Sequence, residues 1–316
     1  MLLSTYVPEP SQLILPANVY GSGTFTIYPD HLLAVRDISL YTWAFTLGAD
    51  HGTFTASPPH INDSWSVTAV NGATLIVSNG KISATSTMRV ATSPTASGKK
   101  IVLVGDSLTE DGRYADTLAS LLPSWTFLGL KTSPYGGTKN EGHSGKTALW
   151  FHTDPSSPFV NGGVLDIPNY ITQIGDTPNI VYIMLGINDM INTTLLNMSV
   201  YIGLFFGHLD ALIAAWEAAG ATVYLGIEPP GNAREDAFWN DYGRIGGTIT
   251  RWRWKQVHAY MVYQMMITYA SRLIPCHLGI DLAGGYAVLS GVHPQASGYT
   301  QVGTQIYNAL AYIYQT

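Results

Sequence analysis

The stretch Ile101-Val102-Leu103-Val104-Gly105-Asp106-Ser107-Leu108-Thr109 joins four consecutive apolar residues to a glycine and a short polar turn. An apolar run without alternation reads as a strand covered on both faces, the habit of parallel sheets. Ser107 then falls at the carboxyl end of that strand, the edge at which open α/β sheets hold their ligands. A serine hydroxyl is a weak nucleophile unless a base and donors for an oxyanion stand beside it. A serine opening a helix is also a good cap. The rest of the chain has to separate these two readings.

Downstream, apolar runs at Trp125 to Leu130, Ile180 to Leu185, Thr222 to Ile227 and Cys276 to Asp281 read as further strands. Helical stretches at Tyr114 to Leu122, Val200 to Ala219, Thr250 to Leu273 and Ser297 to Tyr314 alternate with them. Buried strands alternating with helices predict an α/β fold with a doubly wound parallel sheet. Upstream the grammar differs. Short β-rich runs (Thr24 to Tyr28, Leu40 to Phe45, Gly52 to Ala56, Trp65 to Val70, Ala73 to Val77, Thr87 to Ala91) are broken by Pro58-Pro59, Asn71-Gly72 and Asn79-Gly80. Asn-Gly between such runs signals hairpins, so residues 1–98 are expected to form a small antiparallel β-sandwich. The Ser-, Thr- and Pro-rich segment Thr92 to Lys100 reads as a linker, leaving 99–316 as the α/β domain.

Composition excludes several classes. A net charge of -6 argues against nucleic acid, which calls for a basic surface. The one cationic cluster, Arg251, Arg253 and Lys255, alternates with Trp252 and Trp254 and reads as the half-buried start of a helix. A single cysteine, Cys276, allows no intramolecular disulfide and no thiolate metal cluster. His152, His208, His258 and His277 have no partners at metal-ligand spacing, so no metal and no cofactor are expected. No stretch of about 18 residues is apolar without polar interruption, which speaks against a membrane span. Residues 1–10 lack the features of a signal peptide. A charged fraction of 11%, against roughly 25% in ordinary domains, nevertheless suits a secreted or particle-associated protein. Gly145-Lys146-Thr147 mimics the end of a phosphate loop, but Asn140 stands where that loop needs a glycine.

Four segments now line up. Gly105-Asp106-Ser107-Leu108 resembles the first signature block of the SGNH (GDSL-like) hydrolases. Asn140-Glu141-Gly142-His143-Ser144-Gly145 resembles the second, Leu185-Gly186-Ile187-Asn188-Asp189 the third, and Gly291-Val292-His293-Pro294 the last. The blocks occur in family order, and the resemblance covers roughly Lys100 to Tyr314. It implies a flavodoxin-like sheet, Ser107 as nucleophile, His293 as general base, and Gly145 and Asn188 as oxyanion donors beside the Ser107 amide. Asp106 and Asp189 read as loop-fixing residues. His143, beside Gly145, and Trp150 are candidates to line the substrate site, with Phe151 and Trp239 as further aromatics.

One position departs from the pattern. The family carries an aspartate three residues before the histidine, and here that residue is Ser290. A hydroxyl can hold an imidazole tautomer but offers no charge to an imidazolium. A Ser107–His293 dyad helped by Ser290 or a backbone carbonyl, a substitute carboxylate such as Asp281, and a disabled enzyme all stay open. The opening Leu15-Pro16-Ala17-Asn18-Val19-Tyr20 and Phe25 to Tyr28 also resemble the β-domain of carbohydrate-esterase-like members. This implies removal of acetyl or other short acyl groups from a carbohydrate. A general short-chain carboxylesterase or thioesterase, and a non-catalytic carbohydrate-binding protein, are the alternatives.

Overall fold

The computed structural model describes residues 13–32, 43–48, 53–56, 64–194, 196–242, 249–281 and 284–316. Pro58-Pro59, the first ten residues, and the beginnings of the runs at Leu40 and Gly52 lie outside them. Contacts divide the chain into two compact units. One holds Ser97–Glu228 with Arg272–Ile274; the other holds the described residues up to Ala96, of Pro229–Ser271 and of Pro275–Thr316.

The second unit opens with seven strands: β1 (Asn18–Tyr20), β2 (Thr24–Ile27), β3 (Trp43–Leu47), β4 (Thr53–Ala56), β5 (Trp65–Thr68), β6 (Thr74–Ser78) and β7 (Ser83–Arg89). Five form a sheet in the order β1-β7-β6-β3-β4, and β2 pairs with β5 in a second. All these pairings are antiparallel except β1 with β7. Alternation in β3 buries Trp43, Phe45 and Leu47, and the ring of Trp65 from β5 meets Phe45 at 4.8 Å and Trp43 at 5.9 Å. The two sheets thus share one apolar core.

The two Asn-Gly signals have different fates. Asn79-Gly80 makes the β6–β7 hairpin, where the Asn79 side chain accepts from the Lys81 and Ile82 amides and Gly80 takes φ +81°. Asn71-Gly72 turns the chain between β5 and β6, which lie in different sheets.

The first unit contains β8 (Lys100–Gly105), β9 (Thr126–Leu128), β10 (Lys131–Thr132), β11 (Lys139–Gly142), β12 (Val160–Asn161), β13 (Val164–Leu165), β14 (Ile180–Met184), β15 (Thr222–Gly226) and β16 (Leu273–Ile274). Its helices are α1 (Ser107–Asp111), α2 (Arg113–Leu121), α3 (Ala148–Thr153), α4 (Ile167–Ile174), α5 (Ile187–Met190) and α6 (Met198–Ala218). Strand β8 lies centrally. On one edge it pairs with β14, which leads to β15 and β16; on the other it pairs first with β9 and then with β11. All of these pairings run parallel, which is the 2-1-3-4-5 order of flavodoxin-like sheets. Every side chain of β14 is buried, as a strand covered on both faces requires.

The expected strand at Cys276 to Asp281 is not formed. The strand is β16, two residues long, and it stops at Pro275, which has no N–H for the ladder; Cys276–Gly279 form a turn instead. Helices α3 and α4 were not foreseen. Thr147 caps α3 by accepting from the Trp150 amide, and Asp166 caps α4 by accepting from Asn169.

Helix α6, with mean hydropathy 1.5, is long and apolar enough to cross a membrane by length and composition, although His208 and Asp210 interrupt it.

The second unit is completed by α7 (Glu235–Tyr242), α8 (Arg251–Thr268) and α9 (Ala296–Ile313). Thr250 caps α8. Arg251 and Lys255, one turn apart on α8, both bind the buried carboxylate of Asp30, Arg251 at 2.6 Å. The basic cluster is therefore partly an internal ion network, with Trp254 buried beside it.

Candidate active site

Three of the four motif segments meet in the first unit. Asp106 ends β8 and caps α1 by accepting from the Leu108 amide at 3.0 Å, which places half-buried Ser107 at the first helical position. Strand β11 brings the second segment alongside. Glu141 and Gly142 pair with Val104 and Gly105, the His143 amide donates to the Gly105 carbonyl at 2.9 Å, and the Ser144 amide donates to Glu110 at 2.8 Å.

This close approach explains Gly142. A Cβ there would stand 2.0 Å from the Glu110 nitrogen and 2.4 Å from its Cα, both backbone atoms that cannot yield. Gly142→Ala is expected to cost about 3 kcal/mol or more, read as a fall of roughly 6–12 °C in melting temperature. Gly145 is glycine for a different reason: it holds φ +72° in an exposed turn, with open space where a side chain would project.

Asn188, in α5 after β14, joins the segments. Its Nδ2 donates to Asp106 Oδ2 at 2.8 Å and to the Lys146 carbonyl at 3.2 Å. Asp189 accepts from the Ala148 amide at 3.0 Å and so fixes the start of α3. Ser107, Gly145 and Asn188 are thus tied through Asp106 and the 142–146 turn within one unit.

Beneath them lies a group of buried carboxyls. Burial pushes Asp106 up to about 6, against the pull of hydrogen bonds from the Leu108 amide and Glu228. Burial pushes Asp189 up to about 7. Burial, and next the charge of Asp106, hold Glu228 well above the usual carboxylate range.

The rings of His143 and Trp150 meet at 4.9 Å, tilted by 43°, and His143 Nε2 binds Glu141 Oε1 at 2.6 Å. Glu141 is fully buried and also accepts from Tyr170 at 2.6 Å and from the Leu130 amide at 2.9 Å. An open cleft of about 470 Å³ adjoins this side, lined by Gly145, Thr147, Leu149, Trp150 and Pro155. Phe151 packs inward on Phe159, whereas Trp239 on α7 is 64% exposed.

The fourth segment belongs to the second unit. His293 is exposed and follows a tight turn in which its own amide donates to Ser290 Oγ at 3.1 Å. The Ser290 hydroxyl bonds Asp241 Oδ2 at 3.2 Å, and the Gly291 amide donates to the same oxygen at 2.6 Å. Asn232 closes the turn from the other side, donating to the carbonyls of Ala287 and Ser290. Asp281 accepts from the Gly284 amide at 2.9 Å, within its own turn.

Asp241, Asn232 and Glu228 were missed in the sequence. Glu228 had a signal: a carboxylate directly after the apolar run of β15, at the ligand edge of the sheet. Asp241, in a short helix 49 residues before Ser290, had none.

The sequence model of the GDSL-like lipase/acylhydrolase family matches residues 101–306. The chain belongs to this family. The GDSL-like domain is also similar in structure to solved proteins of low sequence identity. An acetylxylan esterase from Geobacillus stearothermophilus is 17% identical, with a TM-score of 0.43 over 70% of this chain and 98% of that one. A carbohydrate acetylesterase from Sinorhizobium meliloti is 16% identical, with a TM-score of 0.43 over 68% and 100%. A GDSL-like lipase from Bacteroides thetaiotaomicron is 16% identical, with a TM-score of 0.41 over 67% and 87%. No curated protein matches the chain.

Proposed function

We propose that this GDSL-like hydrolase is a serine esterase that removes acetyl or other short acyl groups, with a carbohydrate as the acyl carrier. The observation that carries the reading is the tie that Asn188 makes to Asp106, the residue before Ser107 at the carboxyl end of the central strand, and to the Lys146 carbonyl, next to Gly145. In this mechanism Ser107 Oγ attacks the acyl carbonyl while His293 takes its proton. His293 then gives that proton to the sugar oxygen as its bond to the acyl carbon breaks, and water repeats the sequence on the acyl-enzyme. The amides of Ser107 and Gly145 and the side chain of Asn188 receive the oxyanion. The longer Asn188 bond, 3.2 Å to the Lys146 carbonyl, is the one the oxyanion would compete for.

The carboxylate bonded to the His293 turn is Asp241, which reaches Ser290 and Gly291. We assign it the task of holding that turn and of placing negative charge where Ser290 cannot. The cleft beside Gly145 is the site for the sugar, with Lys146, whose ammonium lies 4.9 Å from the centre of the buried Trp150 ring, and Asp154 in its wall as partners for sugar hydroxyls.

The test compares acetate release from acetylated xylo-oligosaccharides with hydrolysis of p-nitrophenyl acetate. A carbohydrate esterase should show at least about tenfold higher kcat/KM on the oligosaccharide, equivalent to about 1.4 kcal/mol of added transition-state binding. Equal values would leave a general short-chain esterase. Binding of the oligosaccharide without turnover would leave a carbohydrate-binding protein.

A further inference from the structure

The proposed mechanism uses Asp106 and Asn188 but leaves Glu228 without a task. Glu228 is fully buried at the end of β15 and accepts the Ile187 amide, the residue next to Asn188. Its carboxyl also hydrogen-bonds that of Asp106. Two buried carboxyls in contact keep one proton between them, because two adjacent negative charges cannot share a site of low polarity. The other bonds decide which of the two is protonated. Asp106 accepts the Leu108 amide at 3.0 Å and the Asn188 side chain at 2.8 Å, and both donors favour its charged form. The proton therefore resides on Glu228. The result is a chain running from neutral Glu228 to charged Asp106 and on to the Asn188 amide.

We propose that Glu228 is a positioning residue for the esterase reaction, donating its proton to Asp106 so that this carboxylate holds the Ser107 helix start and the Asn188 oxyanion donor in register. The role rests on the esterase reading above. Asp106, at the cap of α1, and Asp189, in α5, are the charged groups that act on Glu228. Both are negative, so loss of the Glu228 proton would place like charges together and drive Asp106 and Asn188 from their places. Activity is thereby tied to the protonated state of Glu228, and turnover falls at alkaline pH.

The test is the pH dependence of kcat and KM for p-nitrophenyl acetate in the wild type, Glu228→Gln, Glu228→Leu and Ser107→Ala, with folding checked by circular dichroism. Gln keeps an N–H donor for Asp106 and an acceptor for Ile187 but cannot titrate. Glu228→Gln should retain kcat within about threefold at neutral pH and lose the alkaline fall. Glu228→Leu should lose on the order of 10-fold or more in kcat, approaching the 10²–10³ of a missing oxyanion donor, with KM little changed. Turnover that depends on Ser107 but has the same alkaline limb in Glu228→Gln, or the wild-type kcat in Glu228→Leu, would overturn this role alone. An absence of Ser107-dependent turnover would overturn the esterase reading and this role with it.

Discussion

Ser107→Ala is expected to lower kcat for short acyl esters by about 10⁴-fold or more while leaving the thermal melt within a few degrees of wild type. Removal of a serine nucleophile in a comparable protease costs on the order of 10⁶ in kcat, and the residual rate comes from the oxyanion donors and binding. The side chain is half-buried and the capping of α1 is done by Asp106, so little folding energy is at stake. His293→Ala should fall similarly, because nucleophile and base act as a unit and their losses do not add. Steady-state kinetics of both single variants and the double variant check this. A double variant far worse than either single would mean that the two residues act independently.

The second large effect concerns stability and acid. Three buried imidazoles, His31, His258 and His277, lie in the second unit near the Asp30–Arg251–Lys255 network. His31 Nδ1 bonds the Leu278 carbonyl at 2.9 Å, while neither ring nitrogen of His277 meets a hydrogen-bond partner among the described residues. Burial pushes His31 down to about 4, and burial, with the neighbouring imidazoles, holds His277 well below the usual range. The folded state therefore binds these protons less readily than the unfolded chain. Their contribution is complete above the unfolded value near 6.5 and is lost as pH falls toward the folded values. For His31 alone the loss at pH 5 is about 2 kcal/mol.

The buried carboxyls of the first unit act in the opposite sense. Asp106 and Asp189 have raised folded values, so they favour the folded state increasingly as pH falls from 7. A plain melting curve against pH would mix the two trends, and the histidine contribution has to be isolated by substitution. His277→Leu removes a titrating group without leaving a partner unsatisfied. It is expected to raise the melting temperature at pH 5 relative to wild type by several degrees more than it does at pH 7.5. Parallel melting profiles for the two proteins across that range would refute the assignment.

Much of the fold was legible because its strands carry a strong signal. Residues 101–104 and 180–184 are unbroken apolar runs, and both became inner strands of the parallel sheet. Their carboxyl ends lead into Ser107 and Asn188, so these two candidate residues are legible in the sequence. The signal fails where local chemistry overrides pattern. Pro275 cut the last strand short and moved it upstream of the expected Cys276 to Asp281. The Asn71-Gly72 pair looked like Asn79-Gly80, yet it joins different sheets, because pairing depends on partners far away in sequence. Helices α3 and α4 are six and eight residues long and depend on the caps of Thr147 and Asp166, which short windows of periodicity do not register. Glu228 and Asp241 act through hydrogen bonds spanning 41 and 49 to 50 residues, and spacing in a single sequence does not report such contacts.

The central claim, a nucleophilic Ser107 activated by His293, is tested most directly by trapping. The protein is treated with a fluorophosphonate, which loses fluoride as an Oγ–P bond forms, and its intact mass and peptides are read by mass spectrometry. The expected result is one adduct per chain, on Ser107, absent from Ser107→Ala and formed at least about 10²-fold more slowly in His293→Ala. Ester turnover without any adduct on Ser107, or labelling of Ser107 at the wild-type rate in His293→Ala, would contradict the account.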